Sequence, residues 1–150
     1  MYKRQVNNYV NNNPNELLLL VKMLRVMFPH KNFSDGPYEE AAEAVINAAK
    51  STPGQMIILY NGLRELEINS FSTLDAVAAT TYLKGIEKTS FFAGVQGTGL
   101  VALYNNHEVW KKLGYEGPSF DLGGYLNRGF NDLDWLPEPR ISEYEEENDQ

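Results

Sequence analysis

Apolar residues recur at helical spacing through the first two thirds of the chain, and no stretch alternates strictly enough to make a strand. Leu17, Leu20, Val21, Leu24 and Phe28 form the first stripe, with Lys22 and Arg25 lying off it. Asn13-Pro14-Asn15-Glu16 marks its start: Asn at the N-cap, Pro at the first helical position and Glu three residues after the cap. Pro29 ends it. After the link Lys31 to Gly36, Pro37 opens a second helix with Tyr38, Ala42, Val45 and Ala49 on a slim apolar face opposite Glu39, Glu40 and Glu43. Thr52-Pro53-Gly54 breaks the chain again, and Met56, Leu59, Tyr60, Leu63 and Leu66 predict a third amphipathic helix. Ser72 with Asp75 three residues on reads as a capping box for a fourth, carrying Leu74, Val77, Ala78 and Tyr82.

A fifth helix begins near Ser90 and contains Phe91, Phe92, Val95, Leu100, Leu103 and Tyr104. Gly94, Gly97 and Gly99 within it each cost about 1 kcal/mol relative to Ala, so close approach of a neighbouring helix is expected there. A short sixth helix is expected over residues 106–113, capped by Asn106. Gly114 is placed to turn left-handed past its end and fold Tyr115 back onto Trp110.

Beyond it the periodicity changes. Trp110, Tyr115, Phe120, Tyr125, Phe130 and Trp135 place a large ring at every fifth residue among Gly and Pro, which fits neither helix nor strand. Disordered segments are poor in aromatics. An ordered arm is therefore expected, its rings anchored on the helical body or on another protein. The fold class expected is all-α, a small helical bundle of about five to six helices with an extended Gly/aromatic C-terminal arm. Residues 1–13 form a disordered or truncated N-terminal segment, 14–115 the helical domain, 116–139 the arm and 140–150 an acidic tail.

Charge sharpens this division. The net charge of −7 argues against a nucleic-acid partner, and much of it is local: of the 20 acids, six lie in residues 138–150 beside the single base Arg140, which leaves a nearly neutral body. With no cysteine, disulfides, Cys-ligated zinc, Cys-ligated iron–sulfur clusters and covalent C-x-x-C-H haem are excluded. The longest apolar run, from Leu17 to Phe28, is too short and too charged to span a bilayer. Residues 1–13 carry no apolar signal core. Read from a GTG start, the codons GTG-TAT-AAG-AGA-CAG encode Met1 to Gln5 and match a transposon end used in library preparation. The expectation is a natural N-terminus further upstream.

Candidate chemistry is sparse. Gly94-Val95-Gln96-Gly97-Thr98-Gly99 follows no predicted strand and matches neither G-x-G-x-x-G nor the P-loop. His30, with Asp35, Glu39 and Glu40 close behind it, is the one arrangement that could serve a small helical enzyme or a carboxylate–histidine metal site, without an H-x-x-x-H or E-x-x-H pairing. His107 reads as a surface residue. Most Ser and Thr fall in predicted caps and turns, with no nucleophile elbow around any of them.

Phe91-Phe92 opening a helix, Tyr104 near its end, the run Asn106-x-Glu108-Val109-Trp110-x-x-Leu113-Gly114-Tyr115-x-Gly117-Pro118-Ser119, Gly123-Gly124-Tyr125 and Asp132-x-Asp134 resemble the gluconate 2-dehydrogenase subunit 3 family. Leu24 through Met27-Phe28-Pro29-His30 and Pro37-Tyr38 resemble its first two helices, so the likeness covers residues 17–137. The resemblance implies a non-catalytic small subunit without a cofactor of its own. Its partner would be an FAD-dependent sugar or polyol dehydrogenase, often with a cytochrome c subunit, in a periplasmic, membrane-associated complex. The small subunit would support maturation and export of the flavoprotein, commonly through a twin-arginine signal. The chain departs from that pattern at Lys3-Arg4, which has no apolar core behind it. The six rings are the expected partner contacts. A free-standing helical interaction module, and a small helical enzyme using His30 and nearby carboxylates, are the other readings.

Overall fold

The computed structural model describes residues 14–120 together with Gly123 and Gly124. The chain divides into two units, Met1–Tyr115 and Glu116–Gln150. Among the described residues six α-helices form and no strand does: α1 Pro14–Met27, α2 Gly36–Ala49, α3 Pro53–Ile68, α4 Ala76–Ile86, α5 Ser90–Tyr104 and α6 His107–Leu113, with a 3₁₀ turn over Phe71–Thr73 before α4. The all-α bundle expected from the periodicity is the fold.

Local chemistry sets the helix starts. The hydroxyl of Thr52 accepts from the Gln55 N–H, that of Thr89 from the Phe92 N–H, and the Asp75 carboxylate from the Ala78 N–H at 2.8 Å. Asp35 precedes α2 without a side-chain cap, because its carboxylate pairs with Arg25 instead. Pro37 opens that helix with the φ a first turn needs.

The core is made by fully buried side chains from every layer: Leu20, Met23 and Leu24 of α1, Tyr38, Ala41 and Ala42 of α2, Phe71 before α4 and Leu103 of α5. Small alanines on α2 let it lie close against α5, which is its most extensive packing, with α1 next. Gly99 of α5 faces Leu24, and Gly62 of α3 faces the ring of Phe91; a Cβ at either position would overlap those atoms.

Three expectations are corrected. The buried face of α1 is Leu19, Leu20, Met23 and Leu24, with Leu17, Val21 and Phe28 only half-buried at its margin, because α2, α3, α4 and α5 all pack on this helix. The cap of α4 is Asp75, not Ser72. Lys22 donates from Nζ to the carbonyls of Ser72 at 2.8 Å and Leu74 at 2.5 Å, holding that stretch in a turn over the buried Phe71. The buried face of α4 is accordingly Ala79 and Leu83, while Val77 is 77% exposed. Finally, of the three glycines in α5 only Gly99 meets a neighbouring helix; nothing approaches a Cβ at Gly94 or Gly97.

Candidate functional site

Residues 106–115, which overlap the most specific part of the resemblance around Val109 to Pro118, fold as a closed hook. The Asn106 side chain accepts from the Glu108 N–H at 2.8 Å and the Val109 N–H at 3.4 Å, and donates through Nδ2 to Glu40 on α2 at 2.6 Å. Ser34, in the α1–α2 link, donates to Glu108 at 2.5 Å. Val109 is buried beneath, and Trp110 donates through its indole N–H to the Tyr104 carbonyl at 2.5 Å. Gly114 then takes φ 71°, so the Tyr115 N–H returns to the Trp110 carbonyl at 2.9 Å. The Tyr115 ring meets Trp110 edge to face at 5.2 Å, and the exposed His107 ring stacks on Trp110 at 4.6 Å.

Of the six expected partner-contact rings, the fold therefore brings Trp110 and Tyr115 together. Phe120 belongs to the second unit, where its carbonyl accepts the Gly123 N–H and the Ser119 carbonyl the Gly124 N–H, both glycines with positive φ. Tyr125, Phe130 and Trp135 lie outside the described residues, as does most of the arm.

The His30 grouping does not form. His30 Nε2 is 2.5 Å from the Tyr104 hydroxyl, and its ring stacks on Phe33 at 4.3 Å. Asp35 is turned to Arg25, whose guanidinium also lies over the Tyr38 ring at 4.3 Å, and Glu40 is turned to Asn106. The Tyr38 hydroxyl donates to the Phe28 carbonyl at 2.5 Å, closing the end of α1. Burial, and then the neighbouring Tyr38, push the Tyr104 phenol above its ordinary value, so it stays a neutral hydrogen-bonding partner for His30. Among the described residues no three His, Cys, Asp or Glu side chains gather where they could hold a metal. Sequence separation hid these links: Ser34–Glu108 and His30–Tyr104 each span 74 residues.

The chain matches no family model, no curated protein and no solved structure.

A second surface lies on α5, the helix that leads into the hook. Helix α5 carries no charged side chain in 15 residues, yet Leu100 is 44% and Val101 63% exposed. Exposed aliphatic side chains on an uncharged helix are suited to being covered. On the flank of α5 facing α2 and α3, a cavity of about 260 Å³ is lined by Val45, Ile58, Phe91 and Gly94 among others. Among the described residues no helix is long and apolar enough to cross a membrane.

Proposed function

We propose that this chain is the small, non-catalytic subunit of an FAD-dependent sugar, polyol or gluconate dehydrogenase complex. It supports the maturation, export and stability of the flavoprotein, in a periplasmic complex that reaches the membrane through its other subunits, a cytochrome c among them. The identity of the partner rests on the resemblance carried by residues 106–119 and by Phe91-Phe92. The observation that carries an accessory role is α5, a helix without a charge whose Leu100 and Val101 remain exposed: such a face is suited to being covered by another protein. The aromatic hook adds rigid rings, and aromatics are enriched at interface cores.

Affinity purification of the tagged chain from its native host tests this. The expected result is a larger subunit arriving with an oxidised-flavin absorption spectrum. A partner without flavin would leave only the interaction-module reading, and turnover of a substrate by the isolated chain would overturn the accessory role altogether.

A further inference from the structure

We propose that the cavity where α2, α3 and α5 meet binds an uncharged small molecule made of one six-membered ring and one hydrogen-bonding atom, the ring on the apolar floor and the polar atom at the Thr98 hydroxyl. The floor is laid by the buried side chains of Val45, Ala49, Leu59, Phe91 and Val95. No acidic, basic or histidine side chain lines the cavity, and a charge buried without a partner is costly, so ions are rejected. The volume is about 260 Å³; an apolar cavity of about 150 Å³ stays dry and takes up benzene, which leaves room here for a ring with a short substituent.

Two residues of α5 point to an occupant. Gly94 lines the cavity, and a Cβ there would meet nothing within 4 Å, so the cost of a glycine inside this helix is not offset by close packing. A long side chain at this position would take up space that the glycine leaves to the cavity. Thr98, one turn on and half-buried, is the second. A helical threonine can return its hydroxyl to the carbonyl four residues back, as Thr80 does to Ala76 at 2.7 Å and Thr81 to Val77 at 2.9 Å. Among the described residues the Thr98 side chain makes no hydrogen bond, so its hydroxyl is available to a guest. Ser90 and Gln55 bring two further uncharged polar groups to the rim. Small-molecule sites combine an apolar lining with a few placed polar groups in this way. An aliphatic side chain inserted by a protein partner would fill the floor and leave Thr98 unpaired, which favours the small molecule. The site lies beyond the accessory role and does not rest on it.

Methyl-resolved NMR titration of the full chain with benzyl alcohol, toluene, benzoate and N-acetyl-leucinamide tests this. Saturable shifts of the Val45, Leu59 and Val95 methyls are expected with benzyl alcohol and toluene. Benzoate should bind at least about tenfold more weakly, because its carboxylate finds no cation. Thr98→Val should weaken benzyl alcohol about three- to tenfold, the loss of one hydrogen bond, and leave toluene unchanged. Gly94→Leu should abolish both while its unfolding midpoint is no lower than that of wild type, since leucine is the better helix former. Absence of a saturable shift with benzyl alcohol, equal binding of benzoate, or normal binding by Gly94→Leu would overturn the proposal. So would a Thr98→Val variant that loses nothing, or tighter binding of N-acetyl-leucinamide at the same methyls, which would assign the cavity to a partner's side chain.

Discussion

Trp110 and Tyr115 meet edge to face at 5.2 Å because Gly114, between them, turns the chain left-handed at φ 71°. An L side chain in that conformation costs about 1–2 kcal/mol. Gly114→Ala is therefore expected to lower stability by about 1 kcal/mol, and Gly114→Asn by less, since Asn tolerates the left-handed region. Urea unfolding of both variants measures this, and equal stability of wild type and Gly114→Ala would show that the hook contributes nothing to the body.

Four glycines separate packing from propensity. Gly94 and Gly97 have open space where a methyl would go, so Gly94→Ala and Gly97→Ala should each stabilise α5 by about 0.5–1 kcal/mol. Gly62→Ala drives a methyl into the Phe91 ring and Gly99→Ala into the buried Leu24, so each should cost about 1–3 kcal/mol. The loss should be greater at Gly62, where a whole ring must move. Thermal unfolding of the four variants reads the order directly.

How far the sequence revealed these features follows from the range of the interactions. The Asn106 cap, the Gly114 turn and the return of Tyr115 to Trp110 are contacts within ten residues, and each was legible from spacing. The helices α2 and α3 were legible for the same reason, their buried residues lying at regular intervals. The start of α4 was not, because Lys22, about 50 residues away, holds the carbonyls that would otherwise begin it. Nor was the fate of His30: a run of nearby carboxylates suggested a site, while Arg25 and Asn106 take two of them and Tyr104 takes the imidazole. The effect of Glu67 on Glu16 carried no local signal at all, since the two lie on different helices.

Tyr38 and Tyr104 hold the link after α1 from two sides. Tyr104→Phe removes the partner of His30 Nε2 and should cost about 1 kcal/mol. Tyr38 is fully buried, and Tyr38→Phe takes the donor from the part-buried Phe28 carbonyl, so about 1–3 kcal/mol is expected. Both hydroxyls touch His30, Tyr38 through the His30 backbone N–H at 3.4 Å, so the double variant should not be additive. Strict additivity in denaturant unfolding would mean that the two bonds act independently.

A charge on the bare face of α5 separates partner binding from folding. Val101 is 63% exposed, so Val101→Lys should change stability by no more than about 0.5 kcal/mol. The same change places an unpaired ammonium in the proposed interface, where it should abolish co-purification of the flavoprotein. Deleting residues 116–137 examines the arm separately and should also release the partner. Retention of the complex by Val101→Lys would move the interface away from α5.

Glu16 gives the chain a pH dependence opposite to that of a salt-bridged acid. Its carboxyl is harder to ionise in the folded chain than at the ordinary value of 4.5, through burial first and Glu67 second. Between 4.5 and the raised value the folded state thus holds more protons than the unfolded one. Stability is then greatest below 4.5, falls as pH rises through the folded value, and remains lower at neutral pH. Glu16→Gln removes the ionisation, so it should be more stable than wild type at neutral pH and lose that advantage in acid. Urea midpoints of the two proteins across this range, in an amine-free buffer, test the sign. Parallel curves would mean that Glu16 meets a donor in solution and carries no penalty.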